Sequence, residues 1–476
     1  MLRTIAFVLI LAAGLACGVQ AQRAPTDVLQ FIDGRREQTV DLAEALWNIA
    51  EVGYKEYQSS DLLQSALAAE GFEIEAGVAD IPTAFVASFG SGEPVIGVLA
   101  EYDALPGISQ AATPFREIVD SKPAGHACGH NLFGAGSVGA AIAIRHWLES
   151  SGNSGTVKLF GTPAEEGGSG KVYMVRAGLF DDVDAVLHWH PGDRNSAAVT
   201  SNLANVSAKF RFRGLSAHAA GAPERGRSAL DGVEALNYMT TLMREHVPQE
   251  SRIHYAITSG GSAPNVVPDF AEVYYYVRHP DSSVVKDIWG RITDAAQGAA
   301  LGTGTEVDWE ILGGTHAMLN NRTLAGMLDG KLREVGGLEY APEEQSFAES
   351  IYSTFSGGSR PLGTESEIEP FQERVNPTST DVGDVSIAVP TAGISAATWV
   401  PGTAAHSWQA VAASGMSIGH KGALVAAKTL SLAALELFTN ADLLAAAKAE
   451  HLENLGPDFV YEAMLGDREP ALDYRD

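Results

Sequence analysis

The chain has 476 residues, and its 32 lysines and arginines against 59 acidic residues give a net charge of −27 at neutral pH. Such a negative surface repels nucleic acids and anionic membranes, so we expect neither as a partner. Hydrophobic residues make up 45% of the chain and charged residues 19%, as in an ordinary globular protein. The length is sufficient for two or more domain cores.

The first 21 residues have the pattern of an export signal. One positive charge, Arg3, precedes an apolar run over residues 5–15, and a small-residue cleavage site ends at Ala21. This run is shorter than the roughly 20 apolar residues that span a bilayer. We therefore expect cleavage after Ala21, export to the periplasm or beyond, and no membrane contact afterwards. A lipoprotein anchor at Cys17 is the less favoured alternative, because Gly14 fits the first position of a lipoprotein box poorly.

Apolar strands alternate with helices from the N terminus to about residue 204. Residues 26–70 are largely helical in pattern, with apolar side chains at i, i+3, i+4 and i+7 spacing. The elements predicted next are strands at 84–89, 95–100, 156–160 and 185–190, and helices at 134–147 and 171–177. This alternation predicts an α/β domain with a mixed sheet covered by helices, whose sites lie in loops beyond the strand ends.

The order of the elements changes from about residue 205. The predicted elements are a strand at 207–212, a helix at 225–245, strands at 251–258 and 270–278, a helix at 284–299 and a strand at 306–311. This β-α-β-β-α-β order is the ferredoxin-like arrangement, and it predicts a second domain inserted into the first.

The sequence thus predicts a two-domain α/β protein with an inserted ferredoxin-like α+β domain. The predicted division is a signal peptide at 1–21, a first part of the catalytic domain at 22–204, the inserted domain at 205–313 and a second part of the catalytic domain at 314–476. The last part is predicted to end in helices, including a long one at 409–438.

After signal cleavage the chain has a single cysteine, Cys128, between two histidines in His126-Ala-Cys-Gly-His130. Exported proteins normally avoid a lone thiol or pair it. Thiolate and imidazole are both good ligands for zinc-like ions, so Cys128 and His130 are predicted to converge on one ion from an irregular segment. The alternative is a buried, inert thiol flanked by capping histidines.

Carboxylates follow two of the predicted strands. Asp103 comes after the strand at 95–100, and Glu165 and Glu166 follow the strand at 156–160. Next to a metal, one glutamate would bind the ion and the other would take a proton from the attacking water. Without a metal, the glutamates form a solvated turn and Asp103 is a turn or helix-capping acid.

Histidines complete the set of candidate ligands. His188 and His190 share one face of their strand because side chains alternate along it, and His406 precedes a late helix. One thiolate, one carboxylate and three histidines offer five ligands, which suits two ions that share a bridging group. The choice between His188 and His190 stays open at this point.

The motifs Glu101-Tyr-Asp-Ala-Leu-Pro, His126-Ala-Cys-Gly-His and Pro163-Ala-Glu-Glu-Gly-Gly, followed by the late His406, resemble those of the M20 family of metallopeptidases. The match is closest to its subfamily D, the amidohydrolases, and covers essentially the whole chain after the signal. The resemblance implies two divalent metal ions, manganese or zinc, and a lid or dimerisation role for the inserted domain. The metal ligands that it implies are Cys128, His130, Glu166, His190 and His406.

The resemblance also implies roles for residues that do not bind metal. Glu165 is the implied general base, and Asp103 supports the site from behind the ligands. His218 would stabilise the oxyanion, typically across a dimer interface, while Asn265 and Arg278 would contact the substrate. The plainer alternatives for the last three are a surface histidine, a turn asparagine between prolines and a structurally paired arginine.

One position departs from the family pattern. The residue after Cys-Gly-His is usually an aspartate in the family, whereas this chain has Asn131. The negative charge that the family places there is therefore missing.

The predicted function is that of a metal-dependent amidohydrolase. It would act as a homodimer on small N-acyl or N-aroyl amino acid conjugates of the p-aminobenzoyl-glutamate type. The alternatives are an M20 dipeptidase or carboxypeptidase, a periplasmic metal- or conjugate-binding protein without catalysis, and a redox-active cysteine protein. The intact Glu165 argues against a binding protein. The acyl group and the metal stay open, because loops such as 107–124 and 346–374 build the pocket and mixed S, N and O ligands suit several ions.

Overall fold

The computed structural model describes residues 25–357 and 360–475. The predicted signal peptide and Cys17 lie outside these residues. The α-helices are α1 Pro25–Gly34, α2 Arg36–Ile49, α3 Tyr57–Ala69, α4 His130–Ser151, α5 Gly170–Arg176, α6 Ala229–Met243, α7 Ser282–Thr303, α8 Arg322–Val335, α9 Pro342–Tyr352, α10 Val382–Ala388, α11 Trp408–Ser414, α12 Ser417–Thr439 and α13 Ala441–Leu455. The strands are β1 Glu73–Ala76, β2 Phe85–Ser91, β3 Val95–Ala100, β4 Leu105–Pro106, β5 Ala124–Gly125, β6 Gly155–Gly161, β7 Ala185–Gly192, β8 Val199–Ser201, β9 Ala204–Arg213, β10 Arg252–Ser259, β11 Phe270–His279, β12 Glu306–Thr315, β13 Glu373–Val375 and β14 Thr391–Ala397.

The larger sheet has six strands in the order β1-β2-β6-β3-β7-β14. The four strands from β6 to β14 in this order pair in parallel, and β1 and β2 form an antiparallel edge. All six residues of β3 are buried, as expected for a strand with both faces covered. Helices α4 and α12 pack against this sheet and against each other. The predicted mixed sheet covered by helices is confirmed.

The smaller sheet has the order β10-β11-β9-β12, with every neighbouring pair antiparallel. Helices α6 and α7 pack against it and enclose a separate hydrophobic core that includes Phe210, Tyr275 and Ile292. The chain runs β9-α6-β10-β11-α7-β12, which confirms the predicted β-α-β-β-α-β order. These strands begin at Ala204 and end at Thr315, while the domain boundaries at 205 and 313 stay predictions.

Two of the helices that differ from their predicted extents do so for a visible structural reason. Helix α4 begins at His130 instead of residue 134, because Gly129 adopts a φ of 76° and lets the chain turn into the helix earlier. Cys128 and His130 therefore lie at a helix N terminus, and the expectation of an irregular segment is wrong for His130. The long helix predicted at 409–438 is broken at Gly415, where the indole of Trp47 packs so closely that a Cβ atom would lie 2.6 Å from it.

Helix α12 is long and apolar enough to cross a bilayer, but 78% of that stretch is buried inside the fold. It packs against α4, α8 and the larger sheet, so its apolar composition is explained by its position in the core.

The segment after α13 touches both hydrophobic cores. Met464 belongs to the core of the smaller sheet, and the next residue, Leu465, belongs to the core of the larger sheet. Farther along, the hydroxyl of Tyr474 donates a hydrogen bond to the main-chain oxygen of Glu166 at 3.1 Å. The C-terminal segment thus connects the two cores and then reaches the predicted site.

Candidate metal centre

The carboxyl ends of the parallel strands meet at one edge of the larger sheet, which is where α/β proteins place their sites. The predicted ligands and catalytic groups are carried by these strand ends and by the helix starts nearby. They are Asp103 after β3, Cys128 and His130 at the start of α4, Glu165 and Glu166 after β6, His190 in β7, and His406 between β14 and α11.

The five predicted ligands form two groups that share one residue. Cys128, His130 and His190 present ligand atoms within 4.8 Å of one another, and so do Cys128, Glu166 and His406. The Sγ atom of Cys128 lies 3.5 Å from Nε2 of His190. An Oε1–Nε2 distance of 3.1 Å separates Glu166 from His406. A thiol common to two groups of three is the arrangement expected of a bridging ligand.

Hydrogen bonds fix which nitrogen two of the histidines present to these groups. The Nδ1–H of His130 donates to Oδ1 of Asp103 at 2.9 Å, and the Nδ1–H of His190 donates to the main-chain oxygen of Pro191 at 2.7 Å. Nε2 is therefore the nitrogen that each ring would present to a metal. The other carboxylate oxygen of Asp103 accepts from the main-chain N–H of Glu166 at 2.9 Å. Asp103 thus orients two predicted ligands, as its supporting role requires.

Unpaired buried atoms indicate that the groups fit cations. Nε2 of His130, Oε1 of Glu166 and Oε2 of Glu101 are buried and form no regular hydrogen bond, although each lies 3.1 Å from another candidate ligand atom. Leaving such an atom unpaired costs about 1–3 kcal/mol, so these atoms need a ligand. The donors are sulfur, imidazole nitrogen and carboxylate oxygen, a set that suits zinc and manganese. The residues present therefore fit two divalent ions.

The electrostatic field of the protein alone opposes a thiolate. Burial raises the pKa of the Cys128 thiol well above its ordinary value, and the charge of Glu166 raises it further, although His130 opposes this. Burial and the neighbouring carboxylates of Glu101 and Glu166 also raise the pKa of Glu165. The thiolate expected from the sequence therefore depends on the positive charge of bound ions.

The geometry shows which of His188 and His190 is placed to bind a metal. The ring of His188 packs over Gly393 of β14, where a Cβ atom would lie 2.5 Å from it, and burial lowers its pKa to about 4. His188 belongs to none of the ligand groups found among the described residues, whereas His190 does. This arrangement favours His190 as the ligand.

Three buried charged residues adjoin the centre, although the motifs do not mark them as ligands or catalytic groups. The Nζ atom of Lys171 lies 2.7 Å from Oε1 of Glu101 and 2.7 Å from Oδ1 of Asp381. Glu101 is the first residue of one of the motifs, but no local pattern distinguishes Lys171 from a surface lysine after glycines. Its partner Asp381 is 210 residues away in the chain, so the pairing has no signal in the sequence.

Another buried carboxyl group, that of Glu56, supports the loop that carries the predicted base. Oε1 of Glu56 accepts a hydrogen bond at 2.8 Å from the main-chain N–H of Ala164, which has a φ of 58°. Burial, with the charge of Asp103, raises the pKa of Glu56 to about 8. This hydrogen bond helps hold Ala164 in a left-handed conformation directly before Glu165.

The centre opens into a cavity of about 630 Å³. Among the described residues, the lining leaves out His218, Asn265 and Arg278. The predicted ligands and base that line it are Cys128, Glu165, Glu166, His190 and His406. These groups therefore face a space large enough for a small molecule.

His218, Asn265 and Arg278 lie in the domain of the smaller sheet. Nδ1 of His218 accepts from the main-chain N–H of Gly221 at 3.1 Å, which leaves Nε2–H as a donor on an exposed ring. The side chain of Asn265 is exposed. The guanidinium of Arg278 lies 5.1 Å from the ring centre of Tyr276, and its buried Nε has no hydrogen-bond partner.

The structure explains why this chain has an asparagine at position 131. Its side-chain amide donates to the main-chain oxygens of Ala43 at 3.2 Å and Ser414 at 3.0 Å. A carboxylate cannot donate these bonds, so an asparagine suits this position.

We expect His190→Ala and Cys128→Ala to lower the metal content of purified protein, because each removes a ligand atom from the centre. His188→Ala is the matched control, since it alters the same strand face without touching either ligand group. Metal per chain is measured by elemental mass spectrometry. If His190→Ala kept its normal metal content and His188→Ala lost metal, His188 would be the ligand instead of His190. A normal metal content in Cys128→Ala would show that the thiol is not a ligand.

Comparisons with known proteins agree with the motifs. Residues 97–357 match the model of peptidase family M20/M25/M40. A p-aminobenzoyl-glutamate hydrolase subunit of Escherichia coli (strain K12) is 41% identical over 456 residues, covering 89% of this chain and 95% of that protein. The Xaa-Arg dipeptidase of Mus musculus is 30% identical over 441 residues, covering 88% of this chain and 90% of that protein.

A solved structure agrees with the fold. The Bacillus subtilis YXEP protein, described as a dinuclear metal binding peptidase from the M20 family, superposes with a TM-score of 0.57 at 17% identity and covers 86% of this chain and 99% of its own. The matching family model, the 41% identity along a near-complete relative and the shared fold agree with one another. The chain therefore belongs to peptidase family M20/M25/M40 and is a metal-dependent hydrolase of amide or peptide bonds.

Proposed function

We propose that this enzyme hydrolyses the amide bond of N-acyl or N-aroyl amino acid conjugates, with p-aminobenzoyl-glutamate as the model substrate. The observation that carries the proposal is that Glu165 lies beside the two ligand groups and lines the same cavity. The name of the relative that is 41% identical supports the aroyl-glutamate class of substrate.

The predicted ligands would hold two divalent ions, manganese or zinc. When bound, such ions lower the pKa of water and polarise the scissile carbonyl. Glu165 accepts the proton of the attacking water and delivers it to the leaving amine. Its carboxylate lies within 4.8 Å of the ligand atoms of His130 and Glu101, so it is close enough to act at this centre.

Cationic and amide groups in the cavity support an anionic amino acid as the released product. Asn202 and Asn376 line the cavity together with Arg194 and Arg374, each of which is also paired with a carboxylate of the protein. Guanidinium and amide N–H groups are the usual donors to substrate carboxylates. Glutamate would present two carboxylates to this wall.

A dipeptidase is the second candidate, because the bond and its hydrolysis are the same. The 30% identical Xaa-Arg dipeptidase supports it, and so does Asp193 in the cavity wall, which offers a charge for an arginine side chain. Asp193 is already paired with Arg194 at 2.7 Å, which weakens its attraction for a substrate cation.

The domain of the smaller sheet is the proposed homodimer contact. Strand β10 is an edge of its sheet, and most of its residues are exposed, including the apolar Tyr255 and Ile257. Tyr238 and Leu242 on α6 add exposed apolar surface. An open edge with apolar side chains favours association. In such a dimer, His218 would reach the centre of the partner protomer and stabilise the oxyanion there.

We expect the metal-reconstituted enzyme to have its highest kcat/KM with p-aminobenzoyl-glutamate in a screen that includes N-acetyl amino acids and Xaa-Arg dipeptides. Glu165→Gln should keep both ions and lower kcat by about 10²–10⁴-fold, because it removes the general base. Product release is followed by chromatography. Faster hydrolysis of Xaa-Arg dipeptides would assign the enzyme to the dipeptidases, and near-normal kcat in Glu165→Gln would exclude that residue as the base.

Mixing two inactive variants tests whether His218 acts across the dimer. Glu165→Gln and His218→Ala are each expected to be inactive. After co-refolding in equal amounts, we expect about one quarter of wild-type activity, because half of the dimers are mixed and each mixed dimer has one complete site. No recovery in dimers shown to be mixed by mass spectrometry would contradict action across the interface. If the protein instead formed a stable complex with a different protein chain, the proposed homodimer would be wrong.

We also propose that the enzyme is exported to the periplasm, with cleavage after Ala21. The intact mass of the protein recovered from the periplasmic fraction should correspond to a chain that begins at Gln22. A lipid-modified chain that begins at Cys17, or an uncleaved cytoplasmic chain, would refute this proposal.

A further inference from the structure

A buried ionic bridge connects three segments beside the metal centre. Glu101 directly follows β3, Lys171 is the second residue of α5, and Asp381 directly precedes α10. The side chains are 0–1% exposed, and both carboxylates lie 2.7 Å from Nζ of Lys171. The main-chain N–H of Lys171 also donates to Oδ2 of Asp381 at 2.9 Å. Lys171 is therefore held at two points by Asp381.

The bridge leaves one carboxylate oxygen directed at the ligand groups. Oε1 of Glu101 faces Lys171, while Oε2 lies 3.1 Å from Nε2 of His130, the nitrogen that this ring would present to a metal. Oε2 is buried, and the atoms it faces are themselves candidate metal ligands. Glu101, His130 and Glu165 form a third group of ligand atoms within 4.8 Å of one another.

Stability alone does not account for this bridge. Withdrawing three charges from water costs several kcal/mol per ion, and apolar replacements of buried ion pairs are often neutral or stabilising. The charges are explained if Glu101 has to remain a carboxylate in one orientation.

We propose that Lys171 is a positioning residue that holds Glu101 with Oε2 facing the metal centre, and that Glu101 supplies a carboxylate oxygen to the bound ions beyond the five predicted ligands. The inference rests on the proposed metal centre. Without Lys171, Glu101 would lose the partner of its Oε1 atom and become free to turn away from His130. The affinity for metal would then fall even though every predicted ligand is present.

The test measures zinc affinity of the full mature chain by competition with a chromogenic chelator, together with the melting temperature of the metal-free protein. The variants are E101Q, K171M and the double variant E101Q/K171M. The matched control is K421M, which removes a lysine on α12 that pairs with the buried Glu344. E101Q keeps the shape of the side chain, so it carries the test if K171M does not fold.

We expect E101Q and K171M each to weaken zinc binding by about tenfold or more, the range seen when groups around metal ligands are removed. The double variant should bind no more weakly than the weaker single variant, because both changes remove the same oriented carboxylate. K421M should match the wild type in zinc affinity.

Three results would overturn the inference. A K171M variant with a lower melting temperature and unchanged zinc affinity would make the bridge purely structural. If E101Q bound zinc with wild-type affinity, Glu101 would not be a ligand of the centre. If the loss of zinc affinity in the double variant equalled the product of the two single losses, Lys171 would not act through Glu101. A wild-type chain that binds no zinc or manganese would instead refute the proposed metal centre itself.

Discussion

Buried negative charge at the carboxyl ends of β3 and β6 is the constraint on which the site depends. Glu101, Asp103, Glu165 and Glu166 follow these two strands, and Cys128 lies against them. Carboxylates removed from water are unfavourable unless cations or hydrogen-bond donors compensate them. The described part of the chain supplies the buried ammonium of a lysine, and the two ligand groups are shaped for further cations. Metal binding therefore completes the electrostatic balance of this part of the fold.

The start of helix α4 contributes to the same balance. Gly129 allows the helix to begin at His130, so Cys128 lies immediately before the positive end of a 22-residue helix dipole. Burial nevertheless keeps the pKa of the thiol above its ordinary value. The helix end and His130 thus lower the free energy needed to deprotonate Cys128, but the thiol is still the stable form without a metal. Cys128, the one cysteine among the described residues, is protected from chance oxidation as long as it is buried as a thiol or bound to metal.

The residues with proposed catalytic roles lie in two domains. Strand ends and helix starts at the larger sheet carry the predicted ligands and Glu165. The domain of the smaller sheet carries His218 in the loop between β9 and α6, where its exposed ring is held with Nε2–H available as a donor. The C-terminal segment connects the two domains, since Met464 and Leu465 enter one core each and Tyr474 bonds to the loop that carries the glutamates. This segment therefore links the smaller domain to the loop that holds the predicted base.

Local pattern was sufficient for much of this protein. Hydrophobic runs predicted β3 residue for residue and the β-α-β-β-α-β order of the second sheet, because strand and helix periodicity depend on neighbours in the sequence. Residue chemistry was equally local, so the thiol, glutamates and histidines of the centre could be named from their motifs. The sequence by itself therefore determined many of the longer elements and the family, and it named the candidate ligands.

Only the tertiary structure decided how these groups combine. It distinguished His190 from His188 by the packing of β14 beside β7, and it paired Lys171 with Asp381 across 210 residues. It also brought Cys128 into both ligand groups and left His218 outside the cavity lining, as far as the described residues go. The physical reason is the same in each case: distances, burial and charge compensation arise between segments that are remote in the chain, and they exist only after the strands have come together.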